Sequence, residues 1–203
     1  MSSSPPDEAS RLQSALVDAV VRAGERPPLM LIDGPSGAGK SSLADLLLRI
    51  WPKGTRPQLV RMDDIYPGWS GLDRASAAVG PDLLEPFVAG KHPRWQRWDW
   101  AGDTAAEWHS VSTDRPLIVE GCGTLTRANA SLADLAVWLD ADDAVRKERA
   151  LRRDGMSFAT HWDQWQHDFD AYVLRESPRD NASLVLDVTT WPLGGPVSVT
   201  GQD

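Results

Sequence analysis

Apolar positions along this chain repeat with two different periods, and the places where the period changes mark its elements. Leu12, Leu16, Ala19, Val20 and Ala23 fall at helical spacing, so residues 7–23 predict an amphipathic helix that Gly24 and the pair Pro27-Pro28 end. The short apolar run 29–33 predicts a first strand, and a helix over about 39–50 follows, stopping before Pro52. Residues 58–62 predict a second strand that runs into Asp63-Asp64. The stretch 65–113 is rich in Gly, Pro and Trp and shows no clean period, with short helices expected around 72–79 and 81–89. Runs at 116–119, 136–139 and 183–187 predict three more strands. A charged helix is expected over 142–153, a break near Gly155, and another helix over 158–175.

Alternating strands and helices of this length predict an α/β fold: a mostly parallel sheet covered by helices on both faces. Ligands in such sheets sit beyond the carboxyl ends of the strands. Asp33, Asp63, Glu120 and Asp140 fall at those ends in four of the five predicted strands. With no internal repeat, residues 1–203 read as a single domain, and 1–6 and 193–203 read as flexible termini.

Between the first strand and its helix, residues 34–41 read Gly-Pro-Ser-Gly-Ala-Gly-Lys-Ser, the pattern of a phosphate-binding loop. Small residues let the backbone wrap a triphosphate, with N–H groups pointing inward at the positive end of the helix. Gly34, Ser36, Gly37, Ala38, Gly39, Lys40, Ser41 and Ser42 are the expected nucleotide contacts. Lys40 is expected to reach the β and γ phosphates, and the Ser41 hydroxyl to hold Mg²⁺.

Other candidates surround this loop. Asp63 is placed to orient an attacking hydroxyl and take its proton, and Asp64 to cap the next segment. Glu120 has the position of a Walker-B-type carboxylate, so Ser41, Glu120 and Asp63 form the expected metal set. Arg146, Arg149 and Arg153 share one helix face and suggest a lid over about 142–157 that closes on the phosphates, with Arg149 and Arg153 as nucleotide contacts. The alternative is a solvated helix with internal ion pairs, which the neighbouring loop makes the weaker reading. Residues 91–100 mix bases with tryptophans. They are expected either to form a wall for an acceptor molecule, with Arg94 or Asp99 binding its polar groups and Trp98 lining it, or to pack a loop onto the core. Cys122 is expected to be a small pocket-wall or core residue, and the four histidines show no metal-ligand spacing.

Composition narrows the partners. The net charge of −8 gives no basic surplus to neutralise a nucleic-acid backbone. No apolar run reaches the length of a membrane span, and the first residues are polar and acidic rather than signal-like. A single cysteine suits a reducing, cytoplasmic setting. A small-molecule hydroxyl acceptor is the expected partner, with no nucleic acid and no membrane; a homodimer is left open.

Taken together, Gly34–Ser41, Met62-Asp63-Asp64-Ile65-Tyr66, Trp98-Asp99-Trp100, Val119-Glu120-Gly121 and the stretch Asp140–Asp154 resemble the P-loop small-molecule kinases. The group nearest in pattern holds uridine kinase, phosphoribulokinase and the bacterial pantothenate kinase. The resemblance covers about residues 29–155. It implies a five-stranded parallel sheet of order 2-3-1-4-5 and transfer of the γ-phosphoryl group of ATP, with Mg²⁺, to a hydroxyl. It implies that Asp63 is the catalytic carboxylate, that Tyr66 is an aromatic at the acceptor site and that Glu120 lies near Mg²⁺. Arg146 and Arg149 become lid arginines touching acceptor and phosphates, and Lys40 and Arg149 catalytic cations. Uridine kinases carry a histidine soon after the segment matching 98–100; here Ala101-Gly102-Asp103 follows. Kinases of a nucleoside monophosphate or a sugar acid, and a nucleotide-dependent switch or ATPase acting on a protein partner, are the alternatives.

Overall fold

The computed structural model describes residues 7–52 and 54–190, and for 154–157 the backbone course alone. The expectations for 1–6 and 193–203 lie outside the described residues. In chain order the elements are α1 (Glu8–Ala23), β1 (Leu29–Asp33), α2 (Lys40–Ile50), β2 (Gln58–Arg61), a 3₁₀ turn Met62–Asp64, α3 (Leu72–Val79), a π-type turn Gly80–Leu84 and α4 (Glu85–Val88). Then come β3 (Arg94–Asp99), β4 (Thr104–Ser110), β5 (Leu117–Glu120), α5 (Arg127–Ala130), β6 (Leu135–Asp140), α6 (Asp143–Ala159), α7 (Trp162–Glu176), α8 (Pro178–Asn181) and β7 (Leu184–Asp187).

The strands β2-β5-β1-β6-β7 form one sheet in that order, with every neighbouring pair parallel. The resemblance implied a five-stranded parallel sheet of order 2-3-1-4-5; the sheet has five parallel strands, and its order is numbered differently because β3 and β4 form a separate antiparallel hairpin between β2 and β5 in the chain. β1 lies at the centre with all five residues buried, which is why it reads as a continuous apolar run rather than an alternation. Its side chains still part to two sides. Leu29 and Leu31 join one core with α3, α6 and α7, while Met30 and Ile32 join the other with α1 and α2. Each buried leucine of α2, such as Leu43 or Leu47, contributes about 1.5–3 kcal/mol to holding that helix, and so the loop before it, on the sheet.

Two expectations about elements are corrected. The stretch 65–113 contains the hairpin, which the sequence left without strands. Its residues are half-buried or exposed on both faces, so no alternation shows. α6 is continuous through Gly155, and the break falls at Thr160-His161 instead. α7 then buries Trp162, Trp165, Phe169 and Tyr172 along one face.

Candidate active site

The loop 34–39 joins the carboxyl end of β1 to the amino end of α2, so it lies in the crevice where parallel sheets gather ligands. Gly39 caps α2 with φ +91° and no side-chain hydrogen bond, leaving the first N–H groups of the helix to an anion. Gly37 has φ +80°, and a Cβ there would run into the main-chain carbonyl of Arg146. The glycine therefore serves both the turn and the close approach of α6. Lys40 Nζ donates to the carbonyls of Gly34 at 2.8 Å and Pro35 at 3.1 Å, and lies 3.4 Å from Cys122 Sγ. Burial works against its charge, yet Cys122, Glu120, Asp33 and Asp63 hold its pKa above the ordinary lysine value.

Asp33, at the end of β1, organises this corner. It is fully buried, and its Oδ1 accepts from the N–H groups of Gly34 (2.7 Å) and Gly123 (3.2 Å). Its Oδ2 accepts from the Leu125 N–H (2.9 Å) and the Tyr172 hydroxyl (2.7 Å). Burial pushes the carboxyl up, while these donors and Lys40 pull it down. Four donors occupy all four lone-pair positions, which suits an ionised carboxylate. One side chain thus ties the loop, the segment after β5, and α7 together.

Glu120 ends β5 and is 3% exposed. Arg61 Nη1 donates to it at 3.2 Å, and Arg61 also reaches Asp45 at 2.8 Å. Burial pushes its carboxyl up, and Lys40 and the nearby Ser41 hydroxyl pull it down. Asp63 lies exposed on the 3₁₀ turn after β2, its main-chain carbonyl accepting from Trp100 Nε1 at 2.8 Å. Burial and the neighbouring Asp63 push Asp64 up.

Two clefts meet here. The phosphate cleft is lined by the loop residues with Asp63, Glu120, Cys122, Arg153 and Trp165. Beside it opens an aromatic cleft of about 510 Å³, walled by Tyr66, Trp69, Trp100, Phe158 and Trp165. Ser36, Asp63, Arg153 and Trp165 line both. The walls brace one another: Tyr66 meets Trp165 edge-on at 4.8 Å between ring centroids, and Trp69 packs on Trp100 at 5.0 Å and Phe158 at 5.6 Å. The Trp165 indole N–H is buried with no hydrogen-bond acceptor among the described residues.

The structure therefore gathers Ser36, Gly37, Gly39, Lys40, Ser41, Asp63, Tyr66, Glu120 and Arg153 around the two clefts, with Gly34, Ala38 and Ser42 in or beside the loop. It does not bring four expected residues there. Arg146 is buried against α7, donating to Asp143 at 2.7 Å and Gln166 at 3.0 Å with its guanidinium over Trp162. Arg149 donates to the carbonyls of Val188 (3.2 Å) and Thr189 (2.9 Å). These bonds fasten the first two turns of α6 to the body, so the row of arginines is not a free lid face; Arg153 alone of the three lines the clefts. Arg94 and Trp98 line a different pocket on the far side of the hairpin. The Tyr66 ring walls the aromatic cleft, and its hydroxyl donates to the Cys122 carbonyl at 2.7 Å.

From sequence, Asp33 is expected only as a strand-end carboxylate, and Tyr172 has no part in the site. The 162, 165, 169, 172 spacing marked a buried face of α7, but nothing local said that the face meets β1.

The donor set fits a nucleoside triphosphate with a divalent cation: a helix amino end, an inward lysine, and a Ser41–Glu120 pair. Among the described residues no three His, Cys, Asp or Glu form a metal cluster. Mg²⁺ needs few protein oxygens when phosphate and water complete its shell. A loop of this kind, set in a parallel sheet with carboxylates at its strand ends, has the phosphate-binding architecture of the P-loop fold.

Comparison with known proteins agrees on that fold. A structure from Bacillus stearothermophilus described as a possible uridine kinase superposes with TM-score 0.60 at 17% identity, covering 87% of this chain and 100% of that one. A candidate fructose transport system kinase from Silicibacter sp. TM1040 superposes with TM-score 0.54 at 17% identity, covering 89% and 99%. In sequence, the tRNA dimethylallyltransferase of Erythrobacter litoralis (strain HTCC2594) is 31% identical over 143 residues, 64% of this chain. The match spans 44% of that relative, less than half its length. No family model matches the chain. Among the described residues no helix is long and apolar enough to cross a membrane.

Proposed function

We propose that this chain is a phosphotransferase that passes the γ-phosphoryl group of ATP to a hydroxyl of a small molecule. The observation that carries the reading is the junction of the two clefts, where Asp63, Arg153, Ser36 and Trp165 line both the phosphate cleft and an aromatic-walled space. ATP with Mg²⁺ supplies the transferable phosphoryl group and screens its charge. The loop N–H groups and Lys40 bind the phosphates and fix their direction. Ser41 and Glu120 hold the cation. Asp63 orients the acceptor hydroxyl and takes its proton, while Arg153 offsets charge on the transferring group. Catalysis is then mostly positioning and electrostatics. The aromatic walls offer apolar surface to an organic acceptor, which favours transfer over hydrolysis. The kinase neighbours of the fold support the reading.

The test is transfer of labelled γ-phosphate to a panel of nucleosides, nucleotides, pantothenate, sugars and sugar acids. Acceptor-stimulated ADP release is expected with one class. Asp63→Asn is expected to lower turnover about a hundredfold or more while leaving ATP affinity within twofold, the usual range for a lost general base. A variant at near-full rate removes Asp63 from that role, and slow hydrolysis indifferent to every acceptor favours a nucleotide-dependent switch.

The sequence relative favours a second reading, in which the loop holds the diphosphate of an alkyl donor and the group transferred is dimethylallyl. The net charge of −8 weighs against a tRNA acceptor. Incubation with tRNA and a dimethylallyl diphosphate donor, read by mass increase of the RNA, separates the two.

A further inference from the structure

On the far side of the hairpin, β3 and β4 close over α3 and the π-type turn to leave a pocket of about 280 Å³. It shares no lining residue with the phosphate or aromatic clefts. Its walls are the rings of Trp95, Trp98 and Trp108 facing Ala78, Val79 and Leu83. Flat aromatic surface opposite small aliphatic side chains suits a flat ring. The volume is at the lower end for ligand pockets, which limits the occupant to one or two rings.

The charges at this pocket give its sign. Arg97 is neutralised by Glu107, with Nε–Oε1 at 2.7 Å and Nη2–Oε2 at 3.1 Å. Arg94 lies over the Trp108 ring, 4.5 Å from its centroid, and neither it nor Arg74 has an ion-pair partner among the described residues. Asp82 is the only carboxylate lining the pocket. Two open cations against one carboxylate leave a single positive charge, in a protein whose net charge is −8. A guanidinium already stacked on a ring offers its fork edge-on, the geometry that binds a carboxylate bidentately. Trp98 Nε1 adds a buried donor with no acceptor among the described residues.

We propose that this pocket is a second ligand site, taking a small planar aromatic monocarboxylate. The site does not depend on which group the phosphate cleft transfers. It backs onto the segment that carries Asp63: Ile65 and Pro67 line this pocket, while Tyr66 and Trp69, alternating with them, line the aromatic cleft. An occupant therefore packs against the segment that shapes the aromatic cleft, apart from the phosphate loop.

The experiment is isothermal titration of the full chain with 1-naphthoate and with the neutral 1-naphthamide, each with and without saturating Mg·ATP. One-to-one binding of 1-naphthoate is expected, at least about tenfold tighter than the amide, as one charge-assisted contact gives, and unchanged by Mg·ATP. The double variant Arg74→Gln/Arg94→Gln is expected to lose that tenfold preference with an unaltered melting curve, since both side chains are exposed. The ligand pair on the unmodified chain decides the matter even if the variant folds poorly. No saturable binding of the carboxylate, equal affinity for the amide, or displacement by Mg·ATP each overturns the proposal; the last would place the anion in the phosphate cleft.

Discussion

Asp33 shows how much one side chain can hold when every acceptor position is used. Its four donors come from three separate stretches of chain, so its loss is felt by the loop, by the turn after β5 and by α7 at once. Asp33→Asn puts an amide N–H against donors that need an acceptor, in a fully buried place. It is expected to cost about 3 kcal/mol or more, the sum of lost charge-assisted bonds and an unsatisfied group. Tyr172→Phe removes one donor to the same carboxylate and is expected to cost roughly 1.5–3 kcal/mol. Because both act through one carboxylate, the double variant should lose less than the sum of the single losses. Urea unfolding of the four proteins measures this, and strict additivity would show that Tyr172 and Asp33 are not coupled.

Among the elements, the joint between the loop and α6 depends on Gly37. At Gly90, φ is +63° and an added Cβ meets nothing within 4 Å, so Gly90→Ala should cost about 1 kcal/mol from conformation alone. At Gly37 the same conformational cost is joined by collision with the Arg146 carbonyl, which is main chain and cannot swing aside. Gly37→Ala is expected to cost about 2–4 kcal/mol and to weaken nucleotide binding, whereas Gly90→Ala leaves binding intact. Thermal melts and nucleotide titration of both variants check it; equal losses would mean that α6 yields. The hairpin supplies a second prediction. Arg97, hydrogen-bonded to Glu107, pulls that carboxyl down to about 2 from its ordinary value. A lowered folded-state pKa means that the pair's support is complete above the ordinary glutamate range and is lost as pH falls toward about 2. NMR titration should find Glu107 near that value and return it to the usual range in Arg97→Ala. The two elements also differ in how far the sequence disclosed them. The loop was legible because its chemistry is local: eight consecutive residues carry the glycines, the lysine and the serine. The hairpin was not, because its strands show water and protein to both faces and its partners lie in α3 and the π-type turn. The arginines of α6 shared a face as their spacing required. Which of them lines the clefts depended on Gln166 and on the carbonyls after β7, both remote in sequence.

At the scale of the whole molecule, parallel topology is what assembles the site. Every strand of the main sheet points the same way, so residues ending β1, β2 and β5, spread over nearly ninety positions, arrive at one edge beside the start of α2. The same edge carries Lys40 and Arg153 in a chain that is acidic overall, which makes it a local place for a small polyanion and the rest of the surface a poor one for a long polyanion. This contrast gives a measurement on the intact protein. A ligand that binds only the folded state at about a hundred times its dissociation constant adds about 2.7 kcal/mol. For a chain of this length that corresponds to a rise in melting temperature of roughly 5–10 °C. Mg·ATP should produce such a rise, Lys40→Ala should abolish most of it, and tRNA at equal phosphate concentration should produce none at physiological salt. Lys40→Ala is an informative control because, among the described residues, Nζ hydrogen-bonds the loop carbonyls of Gly34 and Pro35 and Cys122 Sγ, all at the phosphate cleft. Were tRNA to stabilise the chain while Mg·ATP left it unmoved, the aromatic cleft would have to be read as a place for a base, and the transferred group would not be phosphoryl.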